Sequence, residues 1–107
     1  MADHPVLPPQ PTLADIQRYV DETNTYRGHN VDLQYCVMLL CEEVGEVAKA
    51  VRKSIGGKMD PNSKDTHVDE EAADVLWVLT AICNGLGIDI EQAFRAKEEK
   101  NKVRVWK

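Results

Sequence analysis

Apolar residues recur along this chain at helical spacing and nowhere show the sustained alternation of a strand. Leu33, Val37, Leu40, Val44, Val47 and Val51 follow a 4-3-4-3-4 spacing, which lines one helix face and predicts a bundle seam. The same spacing returns at Val68, Ala72, Val75, Leu79, Ile82 and Leu86. These seams predict one helix from about Asp32 to Ser54 and another from about Thr66 to Leu86, stopped by Gly87. An earlier helix is expected from Thr12, a residue suited to the N-cap, with Leu13, Ile16 and Val20 on one face. The run "NTYRGHN" is expected to end it. A fourth helix starts after Asp89, with Gln92 three residues on as in a capping box, and runs to about Val103. Between the second and third helices "SIGGKMDPNSKDT" reads as a loop, because Gly-Gly and Asp-Pro break helix. The expected fold is all-α and four-helix bundle-like. Residues 12–107 form one domain behind a flexible Pro-rich tail, residues 1–11.

Acids interrupt both long helices. Beside the second helix's seam, about 100° per residue places Cys36, Leu39, Glu43, Glu46 and Ala50 on a neighbouring stripe. Beside the third helix's seam the matching stripe is His67, Glu71, Asp74, Val78, Ala81 and Gly85, offset in the same sense. Glu42 falls further round, toward solvent on a flank with Lys49, and Glu70 lies further out, near Trp77. Glu43-x-x-Glu46 and Glu71-x-x-Asp74 are therefore matched pairs at the edge of a core. If the helices pack antiparallel, four carboxylates converge. Bare, such a cluster is costly, because like charges repel in a low-dielectric site. A hard divalent cation removes that cost, and an oxygen-rich site suits Mg²⁺, with Mn²⁺ as a substitute. The plain alternative is a solvated acidic face, which a single pair would suggest; two equally offset pairs argue against it. A di-iron site normally carries Glu-x-x-His, and neither motif has that His.

On the fourth helix the apolar face of Ile90, Ala93 and Phe94 continues as Lys97, Asn101 and Arg104. Lys97 and Asn101 are thus candidates for phosphate contacts, or else the end of an amphipathic helix whose Lys snorkels outward. For Arg104 the outward reading is preferred. His67 shares the stripe of Glu71 and Asp74 and is a further candidate for a phosphate or for a metal-associated water. Trp77 and Tyr35 lie off the seams, as subunit-packing residues or as a stack for a base. "IGGK" resembles a phosphate loop only loosely and is set aside.

Composition narrows the classes. With 107 residues, 43% hydrophobic, the chain suits one small domain that gains stability by assembling with copies of itself. A net charge of −5 without a dense basic run argues against binding to a nucleic-acid polymer. Cys36, Cys41 and Cys83, an odd number without motif spacing, read as reduced, buried thiols of a cytoplasmic protein. No apolar stretch is long enough to span a bilayer, and "MADHPVLPPQP" lacks the features of a signal peptide.

"EEVGE", followed about 25 residues later by "EAAD", resembles the EExxE…ExxD pattern of the MazG-like all-α nucleotide pyrophosphohydrolases. The likeness extends from "DIQRYV" through "LCEEVGEVAKAVRK" and "DEEAADVLWVL" to "GIDIEQAFRAKEEKNKVR". It implies Mg²⁺-dependent hydrolysis of a nucleoside triphosphate to monophosphate and pyrophosphate, in a homodimer or homotetramer with sites near subunit interfaces. Family metal ligands match Glu43, Glu46, Glu71 and Asp74, and family phosphate contacts match Lys97 and Asn101. An acid not fully committed to metal serves as general base; Glu46 is the first candidate and Glu43 the second. Phosphoribosyl-ATP pyrophosphohydrolase shares the acid pattern, but its usual Ser-Tyr-Thr element is missing here. A dimeric dUTPase generally has a longer chain. A catalytically silent helical bundle that binds nucleotide or a protein partner is the alternative from another class.

Overall fold

The computed structural model describes residues 3–62 and 65–106, and among these there are four helices and no strand. They are α1 (Leu13–Arg27), α2 (Leu33–Ser54), α3 (Val68–Gly85) and α4 (Ile90–Lys102). The all-α, four-helix architecture is the one the periodicity predicts. Thr12 caps α1 in a full capping box: its side chain accepts from the Asp15 N–H, and the Asp15 carboxylate accepts from the Thr12 N–H. Those contacts, the backbone one foremost, hold the Asp15 carboxyl below its ordinary range. Asp89 caps α4 through the Gln92 N–H at 2.9 Å.

Helix α1 outruns its expected end. "NTYR" is helical, and the turn comes at Gly28, whose φ of 67° is the left-handed conformation glycine adopts without a Cβ clash. Asn24 and Thr23, turn-formers by type, are buried inside this last stretch of helix. Tertiary contacts there outweigh local preference.

Helices α2 and α3 form the main pairing, α1 lies across α3, and α4 rests on α1. Cys36 shares a core cluster with Val78 and Ala81, Glu43 lies with Glu71 and Asp74, and Lys53 pairs with Asp65. These pairings advance in opposite directions along the two helices, so α2 and α3 are antiparallel. Val20 of α1 completes the buried cluster, with Ile16, Leu39, Leu40, Trp77 and Ile82 packed around it.

The two apolar faces exchange the roles that the spacing suggests. The stripe carrying the acids faces the α2–α3 contact; the 4-3-4-3-4 seams face largely outward. Val37, Val44 and Leu79 are 45%, 52% and 43% exposed, whereas Cys36, Ala50, Val78 and Ala81 are buried. Cys36, Val78 and Ala81 thus join the buried cluster, while Val37, Val44 and Leu79 are left largely outside it. The cysteines divide likewise: Cys36 is buried, Cys83 half-buried, and Cys41, expected inside, is exposed on the far side of α2.

Between α3 and α4 the axis bends by 95°. Gln17 of α1 holds that corner. Its Nε2 donates to Asn84 Oδ1 at 3.0 Å and to the Ile88 carbonyl at 2.8 Å, and its Oε1 accepts from the Ile90 N–H at 2.9 Å. Asn84 Nδ2 donates back to the Gln17 carbonyl at 2.9 Å. Helix α4 thus leaves the α2–α3 pair and buries no residue of its own. Among the described residues no single helix is long and apolar enough to cross a membrane.

Candidate functional site

Glu43 comes from the middle of α2, Glu71 and Asp74 from the first two turns of α3. Antiparallel packing brings them together: one carboxylate oxygen from each lies within 4.8 Å of the others. Glu43 and Glu71 are half-buried, and Asp74 is exposed, so the cluster opens to solvent on the α3 side. Burial pushes the Glu43 carboxyl above its ordinary range, and the charges of Asp74, Glu71, Glu46 and Glu42 push it the same way. No Lys or Arg ion pair among the described residues neutralises the three acids. Three hard oxygen donors converging without a protein cation fit a divalent ion that keeps waters in its remaining positions.

Glu46 stands one turn beyond Glu43 on α2. It is half-buried and close enough to raise the Glu43 pKa, but it is not one of the three whose oxygens converge. Glu42 is exposed, as its helical phase predicts, and so is Glu70. His67 does not join the acids. It is the exposed N-cap residue of α3, makes no side-chain capping bond, and lines a second cavity with Lys53, Ser54 and Thr66. Lys97 and Asn101 are not brought to the acids either. They ride on α4, which rests on α1, with Lys97 exposed and Asn101 half-buried. Phe94, expected on their inward face, is also exposed. The inward phase of α4 fails within one chain because the corner at Gln17 turns that helix away from the α2–α3 pair.

A cavity of about 390 Å³ begins at Glu43 and Asp74 and extends along α1. Asn24, Arg27, His29, Tyr35 and Trp77 line it as well. Asn24 is only 5% exposed and anchors two of these groups. Trp77 Nε1 donates to Asn24 Oδ1 at 3.0 Å, and His29 Nδ1 lies 3.1 Å from the same oxygen. The Arg27 guanidinium lies 5.3 Å over the Trp77 ring, and Tyr19 packs on Trp77 edge-on at 5.9 Å. Sequence reasoning named Trp77 and Tyr35 as either packing or stacking residues. It missed Asn24, Arg27 and His29, which sit in a run that reads only as a turn.

A family model described as the MazG nucleotide pyrophosphohydrolase domain matches residues 32–106. Two relatives from Bacillus subtilis (strain 168) are similar over most of their length. The uncharacterized protein YpjD is 34% identical over 87 residues, 77% of this chain and 76% of its own. The uncharacterized protein YvdC is 29% identical over 96 residues, 82% of this chain and 91% of its own. Among solved structures, iMazG from Vibrio DAT 722 superposes with a TM-score of 0.67 at 29% identity, covering 86% of this chain and 99% of that one.

Proposed function

Since this chain belongs to the MazG nucleotide pyrophosphohydrolase domain family, we propose that it hydrolyses a nucleoside or deoxynucleoside triphosphate to the monophosphate and pyrophosphate. The cation is Mg²⁺, with Mn²⁺ able to substitute. The observation that carries this proposal is the convergence of Glu43, Glu71 and Asp74 within 4.8 Å, two of which, Glu43 and Asp74, also line a cavity. These three would hold the cation, which when bound supplies charge neutralisation for the phosphates and for charge developing at the reacting phosphorus.

Glu46 is the general base. A carboxylate one turn from the cluster, yet outside its closest grouping, is free to accept a proton from the attacking water. Water attacks the α-phosphorus, the bond to the β-phosphate oxygen breaks, and pyrophosphate leaves. Glu43, raised in pKa first by burial and then by its acidic neighbours, is the second candidate for the base. Lys97 and Asn101 contact the phosphates from a neighbouring subunit, since α4 carries them away from the acids of their own chain. The outward Val and Leu seams of α2 and α3 support a homodimer or homotetramer. A soluble cytoplasmic enzyme acting on free nucleotides suits nucleotide-pool house-cleaning.

The deciding experiment measures pyrophosphate release from standard and modified (d)NTPs, with and without Mg²⁺, for wild type beside Glu46→Ala. Mg²⁺-dependent release lost in the variant is the expected result. Nucleotide binding without release from any substrate would instead indicate a silent binder.

A further inference from the structure

We infer that the part of the cavity lined by Asn24, Arg27, His29 and Trp77 is the nucleobase subsite, with Trp77 as its stacking platform and Asn24 as the residue that positions it. This rests on the nucleotide-hydrolase function proposed above. The cavity is continuous from Glu43 and Asp74 to Trp77 and Asn24. A ligand whose phosphates lie at the acids therefore shares its cavity with the Trp77 indole, and a planar heterocycle suits that ring.

The platform is held rather than merely present. Trp77 Nε1 is a donor only, so the Asn24 atom 3.0 Å away must be the amide oxygen. That fixes which way the Asn24 amide points. The same oxygen lies 3.1 Å from His29 Nδ1, which must then carry the hydrogen, leaving Nε2 as the acceptor of the neutral ring. The His29 backbone N–H also donates to the Asn24 carbonyl at 2.9 Å. One buried side chain thus sets the indole and the imidazole together. With its oxygen engaged twice, Asn24 keeps an NH₂ that bonds to no other group among the described residues and is not sealed from solvent. Because Asn24 lines the cavity, that NH₂ is a donor available to a ring nitrogen or carbonyl of the base.

Arg27 covers the Trp77 ring at 5.3 Å, but it is exposed and held by no carboxylate among the described residues. An entering base displaces it without breaking a buried contact. Asn24, Arg27 and His29 all precede residue 32, where the family match begins. The base-contacting wall accordingly joins Asn24 and Arg27 of α1 and His29 of the following turn to Trp77, which α3 presents one turn beyond Asp74.

The test uses Trp106→Phe protein, in which Trp77 is the only tryptophan. Its emission is titrated with ATP, GTP, CTP, UTP and their deoxy forms, with Ca²⁺ in place of Mg²⁺, and with inorganic tripolyphosphate, which has the phosphates but no base. The nucleotides that bind are expected to change the emission saturably; tripolyphosphate is expected to leave it unchanged. By calorimetry Trp77→Ala should weaken nucleotide binding about tenfold or more and tripolyphosphate binding less than twofold. Asn24→Ala should shift the emission maximum and weaken nucleotides similarly, whereas Asn24→Asp, which keeps acceptor oxygens, should hold the maximum. Equal emission responses to tripolyphosphate and nucleotides overturn the inference, as does unaltered nucleotide affinity in folded Trp77→Ala. Should Trp77→Ala not fold, the emission comparison decides alone. Base-dependent binding without turnover would remove the hydrolase function and leave the subsite; turnover with KM unchanged in Trp77→Ala would do the reverse.

Discussion

Replacing Glu43 by Gln should stabilise the metal-free protein and abolish its stabilisation by Mg²⁺. Glu43 lies within 4.8 Å of carboxylate oxygens on both Glu71 and Asp74. Like charges at that separation cost about 1 kcal/mol per pair at the dielectric of water and about 3–4 kcal/mol at an effective value of about 20. Glu43 is only half-buried, so solvent screening favours the lower figure. Removing two such repulsions should yield about 1–2 kcal/mol, or a rise in Tm of about 5–10 °C for a domain of this size. The wild type, by contrast, should gain about 2.7 kcal/mol when Mg²⁺ reaches about 100 times its Kd. Thermal melts of both proteins in EDTA and across a Mg²⁺ series supply the comparison. Acid should erase the variant's advantage. Burial first, and then the neighbouring acids, raise the Glu43 pKa, so the folded chain holds this proton more tightly than the unfolded chain. The penalty on the wild type is full once pH exceeds the folded pKa and absent below the unfolded one. Its decline on acidification should therefore begin above the pH at which an ordinary Glu titrates. A Glu43→Gln protein that melts at or below the wild-type temperature in EDTA at neutral pH would refute the electrostatic account. So would a wild type whose Tm ignores Mg²⁺.

Glu46→Gln should lower kcat by about 100-fold or more while leaving the Mg²⁺-induced rise in Tm in place; loss of both would move Glu46 among the ligands. Leu79→Asp adds a charge to the outward seam and should lower the particle mass measured by light scattering with helix content retained. An unchanged mass would mean that this seam is not an assembly face. Gln17→Leu removes the bonds to Asn84, Ile88 and Ile90 and should cost about 1–3 kcal/mol in urea denaturation. It should also speed hydrogen exchange at the Ile90 amide, and an amide as protected as in wild type would contradict the proposed corner.

The number, order and approximate limits of the helices were legible in the sequence, because each repeats apolar residues at helical spacing between strong breakers. The Thr12 and Asp89 caps were legible for the same local reason. So was the shared phase of Glu43, Glu71 and Asp74, since helical geometry relates residues on one helix without any tertiary information. Which face met which neighbour was not. Val37, Val44 and Leu79 have the spacing of a core whether they meet their own chain or another copy. Cys36, Ala50 and Ala81 give a weaker hydrophobic signal, although they are among the buried residues. The position of Lys97 and Asn101 depends on the 95° corner between α3 and α4, made by contacts from Gln17 some 70 residues earlier. Asn24 looked like a turn residue because its partners Trp77 and His29 become neighbours only when α1 crosses α3. Local periodicity thus determined the helices and the acids' register along them. Long-range packing decided the inward face, the direction of α4 and the grouping of Asn24, His29 and Trp77, because those depend on contacts between residues that spacing along the chain does not relate.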